Sequence, residues 1–205
     1  MAAAGRLGHD TAPSEELGWV EAHRYSGYLR ESLDADESSA GEQWERDHQR
    51  GFFYAGVQKG ANVASWIQAS LLEHAGLTKL QCAASFVDMV KCFERVTHVA
   101  LLEEAKYWHY PLWILRMCML AYKFGRRISI KGVVSRLVFA LRGITAGSVT
   151  ATTELRLLLL RTLDDVARRF RHVPMHVYID DMFQFLASTM SIVVSQFPKA
   201  VEALM

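Results

Sequence analysis

Apolar and polar positions repeat with two different periods along this chain, and each change of period marks an element. The strictest alternation runs Met175-His176-Val177-Tyr178-Ile179-Asp180-Asp181-Met182-Phe183-Gln184-Phe185-Leu186. Apolar and aromatic residues there flank two adjacent carboxylates, which predicts a β-hairpin with Asp180 and Asp181 at its tip. A short apolar run from Leu80 predicts a buried strand that ends at Asp88, and Arg127 to Lys131 alternates as a further strand with Gly132 as its turn. Helical spacing accounts for most of the rest. One helix is predicted from about Asn62 to His74, burying Val63, Trp66, Ile67, Ala69, Ser70, Leu71 and Leu72. Thr97 is placed to cap a second, running to about Tyr107 with Val99, Leu101, Leu102 and Ala105 inward. Pro111 opens a third, Leu112 to Lys123, apolar on more than one side, where Met and Trp read as core packing. The longest spans Val149 to about Arg169, and an amphipathic helix runs from Thr189 to Met205.

Residues 1–50 lack such periodicity. They are rich in Glu, Asp, Ser, Gly and Ala and predict a mostly disordered tail, with one short helix from Ser14 to Leu33. Composition turns apolar near Arg50, so the domain is expected to occupy 51–205. At 205 residues, with 51% hydrophobic residues and five tryptophans, the chain can bury a sizeable core. Arg116 and Lys123 interrupt the best candidate for a membrane span, so no membrane association is expected. Met1 to Thr11 has no apolar stretch after its basic residue, which argues against a secretory signal. Cys82, Cys92 and Cys118 are odd in number and form no Cys-x-x-Cys pair, which favours reduced thiols and an intracellular location, nuclear or cytoplasmic.

A net charge of +1 hides a strong asymmetry. Residues 1–50 hold eleven acidic residues against five arginines, a balance of −6. Between Glu104 and Glu154 no acidic residue occurs, while Lys106, Arg116, Lys123, Arg126, Arg127, Lys131, Arg136 and Arg142 carry positive charge. Such a segment either attracts phosphates or forms a solvated basic face.

Candidate chemistry begins with the paired aspartates. Adjacent carboxylates repel unless a cation lies near, so an Asp pair on a rigid apolar hairpin suggests a divalent metal, against the plainer reading of a turn-filling Asp-Asp. Gly-x-x-Lys-Gly, ending at Gly60, lacks the spacing and the Lys-Ser/Thr end of a phosphate-binding P-loop. Arg142-Gly143-Ile144-Thr145-Ala146-Gly147-Ser148 is a glycine loop feeding the longest helix, where backbone can approach an anionic ligand. His98 and His109 have no second ligand at metal spacing and read as structural.

The order of these pieces, a strand ending in Asp88, helices, a strand, a glycine loop with its helix, then the Asp hairpin, resembles the palm of reverse transcriptases, most closely those of non-LTR retrotransposons and group II introns. Phe86-Val87-Asp88-Met89-Val90-Lys91-Cys92-Phe93-Glu94-Arg95-Val96-Thr97-His98 is similar to the family's first catalytic motif, Arg142 to Ser148 to its template and nucleotide loop, and Tyr178-Ile179-Asp180-Asp181 to its Tyr-x-Asp-Asp motif. Gly51 to Gly60 and the helix after it resemble the fingers-side segment. The resemblance covers about residues 51–205 and implies an α+β fold: a right-hand polymerase palm of small antiparallel sheet and packed helices, partial fingers, and no thumb.

What the resemblance implies is RNA-directed DNA polymerase activity, adding deoxynucleoside triphosphates to a DNA primer on an RNA template with two Mg²⁺ ions or Mn²⁺ in their place. Asp88 and Asp180 would hold both ions, the backbone carbonyl of Met89 would help hold one, and Asp181 would support the site. Phe93 would lie under the sugar and exclude a 2′-hydroxyl, unless it is ordinary packing. Gly147 and Ser148 would line the templating base and nucleotide, and Tyr178 the primer end. Ala146 stands where the family usually has Gln, and Glu94 where Asp is commoner. The match stops before the family's thumb, so a fragment or degenerate copy is expected. The competing readings are an RNA-directed RNA polymerase, disfavoured by Phe93, and a noncatalytic remnant that binds nucleic acid or protein.

Overall fold

The computed structural model describes residues 39–56 and 59–205. Of the expected tail, residues 1–38, including the helix expected from Ser14 to Leu33, lie outside the described residues. A compact unit runs Ala40–Met205. In chain order it contains α1 (residues 39–47), α2 (Ala61–Thr78), β1 (Gln81–Asp88), α3 (Cys92–Arg95), α4 (His98–Tyr107), α5 (Leu112–Lys123), β2 (Ser129–Ile130), β3 (Val133–Val134), α6 (Ala151–Arg169), β4 (Met175–Tyr178), β5 (Asp181–Ser188) and α7 (Met190–Glu202).

The main sheet is antiparallel with strand order β1-β5-β4, and β2 pairs with β3 in a separate small hairpin. Register follows from alternation, because directly opposed residues share a face. On one face lie Phe86 opposite Phe183 opposite His176, and Asp88 opposite Asp181 opposite Tyr178. The other face carries Val87, Met182 and Val177. Met175, Val177 and Met182 join the main core around Leu155, Leu157, Leu160, Leu163 and Val166 of α6, together with Leu101, Ala105, Ile114 and Leu115 from α4 and α5. Further along that face α7 packs Val193, Phe197 and Ala200 against Leu186 and Val173. On the first face Ala75 and Leu71 of α2 cover Phe183 and Phe185.

Several sequence expectations change here. The buried strand ending at Asp88 is an edge strand with alternate residues exposed, Phe86 at 70%, because Ala83 and Val87 pack on the core side while the face carrying Ala84, Phe86 and Asp88 is left open. In α2 the buried positions are Ala64 and Ala75 rather than Val63 and Trp66; small residues let the helix approach the sheet, and Trp66 is 75% exposed. In α4, Leu101 and Ala105 are inward as expected, whereas Val99 and Leu102 are exposed. Thr97 holds the N-cap position without a side-chain cap hydrogen bond. The strand expected over 127–131 shortens to Ser129–Ile130.

Residues 40–50, assigned from composition to the tail, pack into the domain. Trp44 is buried, donates from Nε1 to the Trp108 carbonyl at 2.8 Å, stacks on His48 and meets Tyr110 edge-on. Arg50 grips Asp164 of α6 through Nε and a terminal nitrogen at 2.8 and 2.9 Å. Glu45 pairs with buried Arg156 at 3.2 Å and accepts from Thr153 Oγ1. Local polarity marked these residues as tail, but Trp108, the acceptor for Trp44, lies more than sixty positions away and the α6 partners of Glu45 and Arg50 more than a hundred. Lys59, the lysine of the discarded P-loop pattern, donates to the carbonyls of Arg50 and Phe53, and burial, with Arg156 nearby, lowers its pKa. No helix among the described residues is long and apolar enough to cross a membrane.

Candidate active site

The hairpin forms because β4 and β5 are joined by only two residues, Ile179 and Asp180. Ile179 adopts φ +60°, a left-handed conformation costly for a β-branched residue. Strain of that kind survives only where the surroundings hold it. Here the Asp180 carbonyl accepts from the Met89 amide at 3.3 Å, which extends the β1–β5 ladder past both strand ends. The tip is therefore tied to the turn that leaves β1.

Asp88 and Asp181 close one row of the sheet with Tyr178, all three on the face that α2 covers. Asp88 and Asp181 are exposed and Asp180 is half-buried. Asp180 Oδ2 accepts from the Cys92 thiol at 3.6 Å. Burial and the Asp180 charge push the Cys92 thiol up to about 11, so it remains protonated and able to donate. The Cys92 amide donates to the Met89 carbonyl at 3.2 Å, using one of the two lone pairs of the oxygen expected to contact a metal. A cavity of about 360 Å³ opens beside the aspartates, between Ala61, Ala64, Ser65 and Gln68 of α2 and the sheet residues Phe86, His176 and Phe183. His176 sits between Tyr54 and Phe183 at centroid distances of 5.0 and 5.6 Å, and burial lowers its pKa.

Asp88, Met89, Asp180, Asp181 and Tyr178 thus come together at one end of the sheet. Phe93 lies one turn further on, partly buried against the main core. The glycine loop docks on that turn: the Gly143 amide donates to Val96 at 2.7 Å and the Ile144 amide to Phe93 at 2.9 Å. Gly143 has φ +95°, and a Cβ there would meet the Glu94 Cα and carbonyl oxygen at 3.2 Å. Gly147 has φ +83° and open space around it. Ser148 is half-buried with its hydroxyl oxygen turned inside, so Gly147 presents the more open surface of the loop. All eight basic residues between Lys106 and Arg142 are exposed, and Arg126 reaches the loop through Thr145 Oγ1 at 3.3 Å.

The contrast between the two glycines makes a direct prediction. Gly147→Ala is expected to cost about 1–2 kcal/mol for the left-handed backbone alone. Gly143→Ala adds a contact against backbone that cannot swing away, and its cost is expected to exceed that of Gly147→Ala by a measurable shift in urea midpoint at unchanged slope. Equal shifts would mean that the close docking of Gly143 on Glu94 is absent.

Sequence reading passed over two residues of the site. Phe86 was visible in principle, since position i−2 from Asp88 shares its face. The contact of Cys92 with Asp180 spans 88 positions and had no local signal.

Two features are those of the palm class of nucleic-acid polymerases: a three-stranded antiparallel sheet backed by helices, and aspartates from two chain segments meeting at its end. The family model described as reverse transcriptase (RNA-dependent DNA polymerase) matches residues 45–204, and the chain belongs to that family. Its fold is similar to that of an apo telomerase from Candida tropicalis truncated from its C-terminal domain, with a TM-score of 0.62 at 13% identity. That likeness covers 94% of this chain and 41% of the telomerase chain, so this chain spans less than half of it. No curated protein matches the chain by sequence. The match from residue 45 includes the Glu45–Arg50 stretch that packs into the domain and that composition had placed in the tail.

Family polymerases work with divalent ions, and the donor set suits them. No group of three or more His, Cys, Asp or Glu able to hold a metal occurs among the described residues. Mg²⁺ does not need one: it is usually bound by one or two carboxylates, with waters and substrate phosphates completing its shell. Exposed Asp88 and Asp181 with half-buried Asp180, set beside an open cavity, provide that kind of incomplete hard-oxygen site.

Proposed function

We propose that this domain adds deoxynucleotides to a DNA primer 3′ end on an RNA template, with divalent metal held by Asp88, Asp180 and Asp181 and by the Met89 carbonyl. The observation that carries the reading is the convergence of the β1 exit and the β4–β5 hairpin, joined through the Met89 amide and the Cys92 thiol. When bound, the metal neutralises charge developing on the transferred phosphoryl group and its leaving oxygens. The protein's own part is positional. Strand pairing holds the carboxylates, Cys92 orients Asp180, Phe93 and the glycine loop bound the nucleotide side, and Tyr178 faces the primer end. The exposed cations from Lys106 to Arg142 supply a sequence-independent attraction for the phosphate backbone. The motif wording favours the non-LTR retrotransposon or group II intron type, acting inside the cell.

Primer extension on a homopolymeric RNA template with a DNA primer tests the reading, with dTTP set against UTP. Extension with dTTP alone is the expected result. UTP incorporation at equal efficiency would favour the RNA polymerase alternative. No incorporation of either nucleotide, with Mn²⁺ present and primer–template in excess, would favour the noncatalytic alternative.

Phe93 gives a sharper check. Its ring packs at the edge of the core while its carbonyl is held by the glycine loop, so the side chain can be trimmed with the turn still tethered. Phe93→Val is expected to reduce discrimination against UTP by about 10–200-fold, the range that a change of a single methylene in a shape-selecting pocket already produces. If stability falls while discrimination is unchanged, Phe93 is a packing residue only.

A further inference from the structure

The polymerase reading does not use a buried polar chain that runs beneath the glycine loop. His98, at the start of α4 and 7% exposed, has Nε2 2.8 Å from the Gly143 carbonyl oxygen. Its ring stacks on Tyr122 of α5 at 6.1 Å and 25°. The Tyr122 hydroxyl donates to Glu154 Oε2 at 2.7 Å, and Glu154 in the first turn of α6 is completely buried. Beside them Cys118 Sγ lies 3.2 Å from Thr150 Oγ1, at the N-cap of α6. One continuous set of contacts from three helices therefore holds both ends of the loop: Gly143 where it begins, and the Ser148–Thr150 turn where it enters α6.

The chemistry of this set is unusual for a core. A fully buried carboxyl facing a tyrosine is costly unless hydrogen bonds satisfy it, and burial raises the pKa of Glu154 as well as that of Tyr122. Apolar residues of similar volume would fill the space at lower cost. Glu154 Oε1 is buried without a hydrogen-bond partner, so the set is held by Tyr122 on Oε2 and His98 on Gly143, and such directional bonds have one advantage over apolar packing: they permit a single arrangement where apolar packing permits several. Beneath a loop whose glycines leave the backbone free, that is the property required.

We propose that His98, Tyr122 and Glu154 are positioning residues that lock the glycine loop, from Arg142 to Ser148, against the Phe93 turn and the entrance of α6. Its relevance to catalysis rests on the polymerase reading, but the brace itself does not. His98 closes the stretch similar to the first catalytic motif, but Tyr122 and Glu154 lie outside the quoted motifs, none of the three lies in the loop itself, and the contacts join separate helices.

Native-state hydrogen exchange on the full chain tests it. Tyr122→Phe removes one oxygen and keeps the ring, so the packing volume is kept while Glu154 loses its bond from Tyr122. Exchange of the amides from Gly143 to Thr150 is expected to rise at least about tenfold relative to the amides of α6 beyond Leu157. Val193→Ala, in the separate α7 cluster, serves as the control for general destabilisation and should raise exchange without that local bias. Glu154→Gln, which keeps an acceptor for Tyr122, is expected to retain most of the protection that Glu154→Leu loses. Uniform changes across loop and α6, or equal protection in the Gln and Leu variants, would overturn the brace. Local deprotection in a protein that extends no primer would leave the brace standing and count against the polymerase reading instead.

Discussion

Asp180→Asn is expected to lower template-directed extension by at least about a thousandfold, with thermal stability close to that of the parent. The size follows from what is removed. A metal-held phosphoryl transfer draws several kcal/mol from charge stabilisation, and about 4 kcal/mol corresponds to three orders of magnitude. Asparagine keeps the volume of aspartate and a carbonyl oxygen that can still accept from Cys92, while the backbone carbonyl still accepts from Met89. The hairpin tip should stay in place without its charge. Mn²⁺ titration followed by electron paramagnetic resonance provides a readout separate from turnover, and affinity should fall in Asp88→Asn and Asp180→Asn alike. Parent-level Mn²⁺ affinity in both variants would show that neither aspartate holds a metal. A matching test of the thiol is Cys92→Ser against Cys92→Ala: serine keeps a donor to Asp180, and its metal affinity should lie closer to the parent's.

Arg156→Met is expected to destabilise the domain by about 3–5 kcal/mol, the range for removing one member of a buried ion pair. Arg156 is 8% exposed, pairs with Glu45, donates to the Ala55 carbonyl and lies over the Phe53 ring at 5.0 Å. Burial alone would lower the pKa of its guanidinium, and the neighbouring Glu45 carboxylate opposes that. Truncation leaves Glu45 with only Thr153 as partner in a partly dry site. For a chain of this length the loss corresponds to a fall on the order of 10 °C in Tm. The double substitution Glu45→Leu with Arg156→Met should recover most of it, because removing both charges also removes their desolvation cost. If the double variant is as unstable as Arg156→Met, the packing of the arginine stem on Phe53 matters more than the charge pair. The same experiment asks whether residues 40–50 belong to the folded unit, since Glu45 can matter to stability only if they do.

Much of the site was legible because its signals are local. An alternating apolar run with two central aspartates can form little other than a hairpin with those residues at the tip, and β4 and β5 turn at Ile179-Asp180. Period 2 then sets which residues share the face of Asp88. The helices near 98–107, 112–123 and 151–169 could likewise be read from spacing and from Pro111 and the glycines. The long-range pairings could not. Trp44, Glu45 and Arg50 sit in a polar, acidic stretch whose composition points to a tail, and their buried partners come from α6 and from Trp108.

For this protein, then, the chain's own periodicity and turn chemistry determined the elements, the order of the motifs and the aspartates presented at strand ends, because each depends on neighbours within a few residues. Tertiary structure alone decided that Asp88 stands opposite Asp181, that Cys92 contacts Asp180, that α2 buries Ala64 and Ala75 while Trp66 faces water, and that His98, Tyr122 and Glu154 meet beneath the glycine loop. The physical reason is that burial and partner choice are properties of packed surfaces. A residue's local pattern states that it can be buried or can donate a hydrogen bond, and only the folded chain supplies what it is buried against.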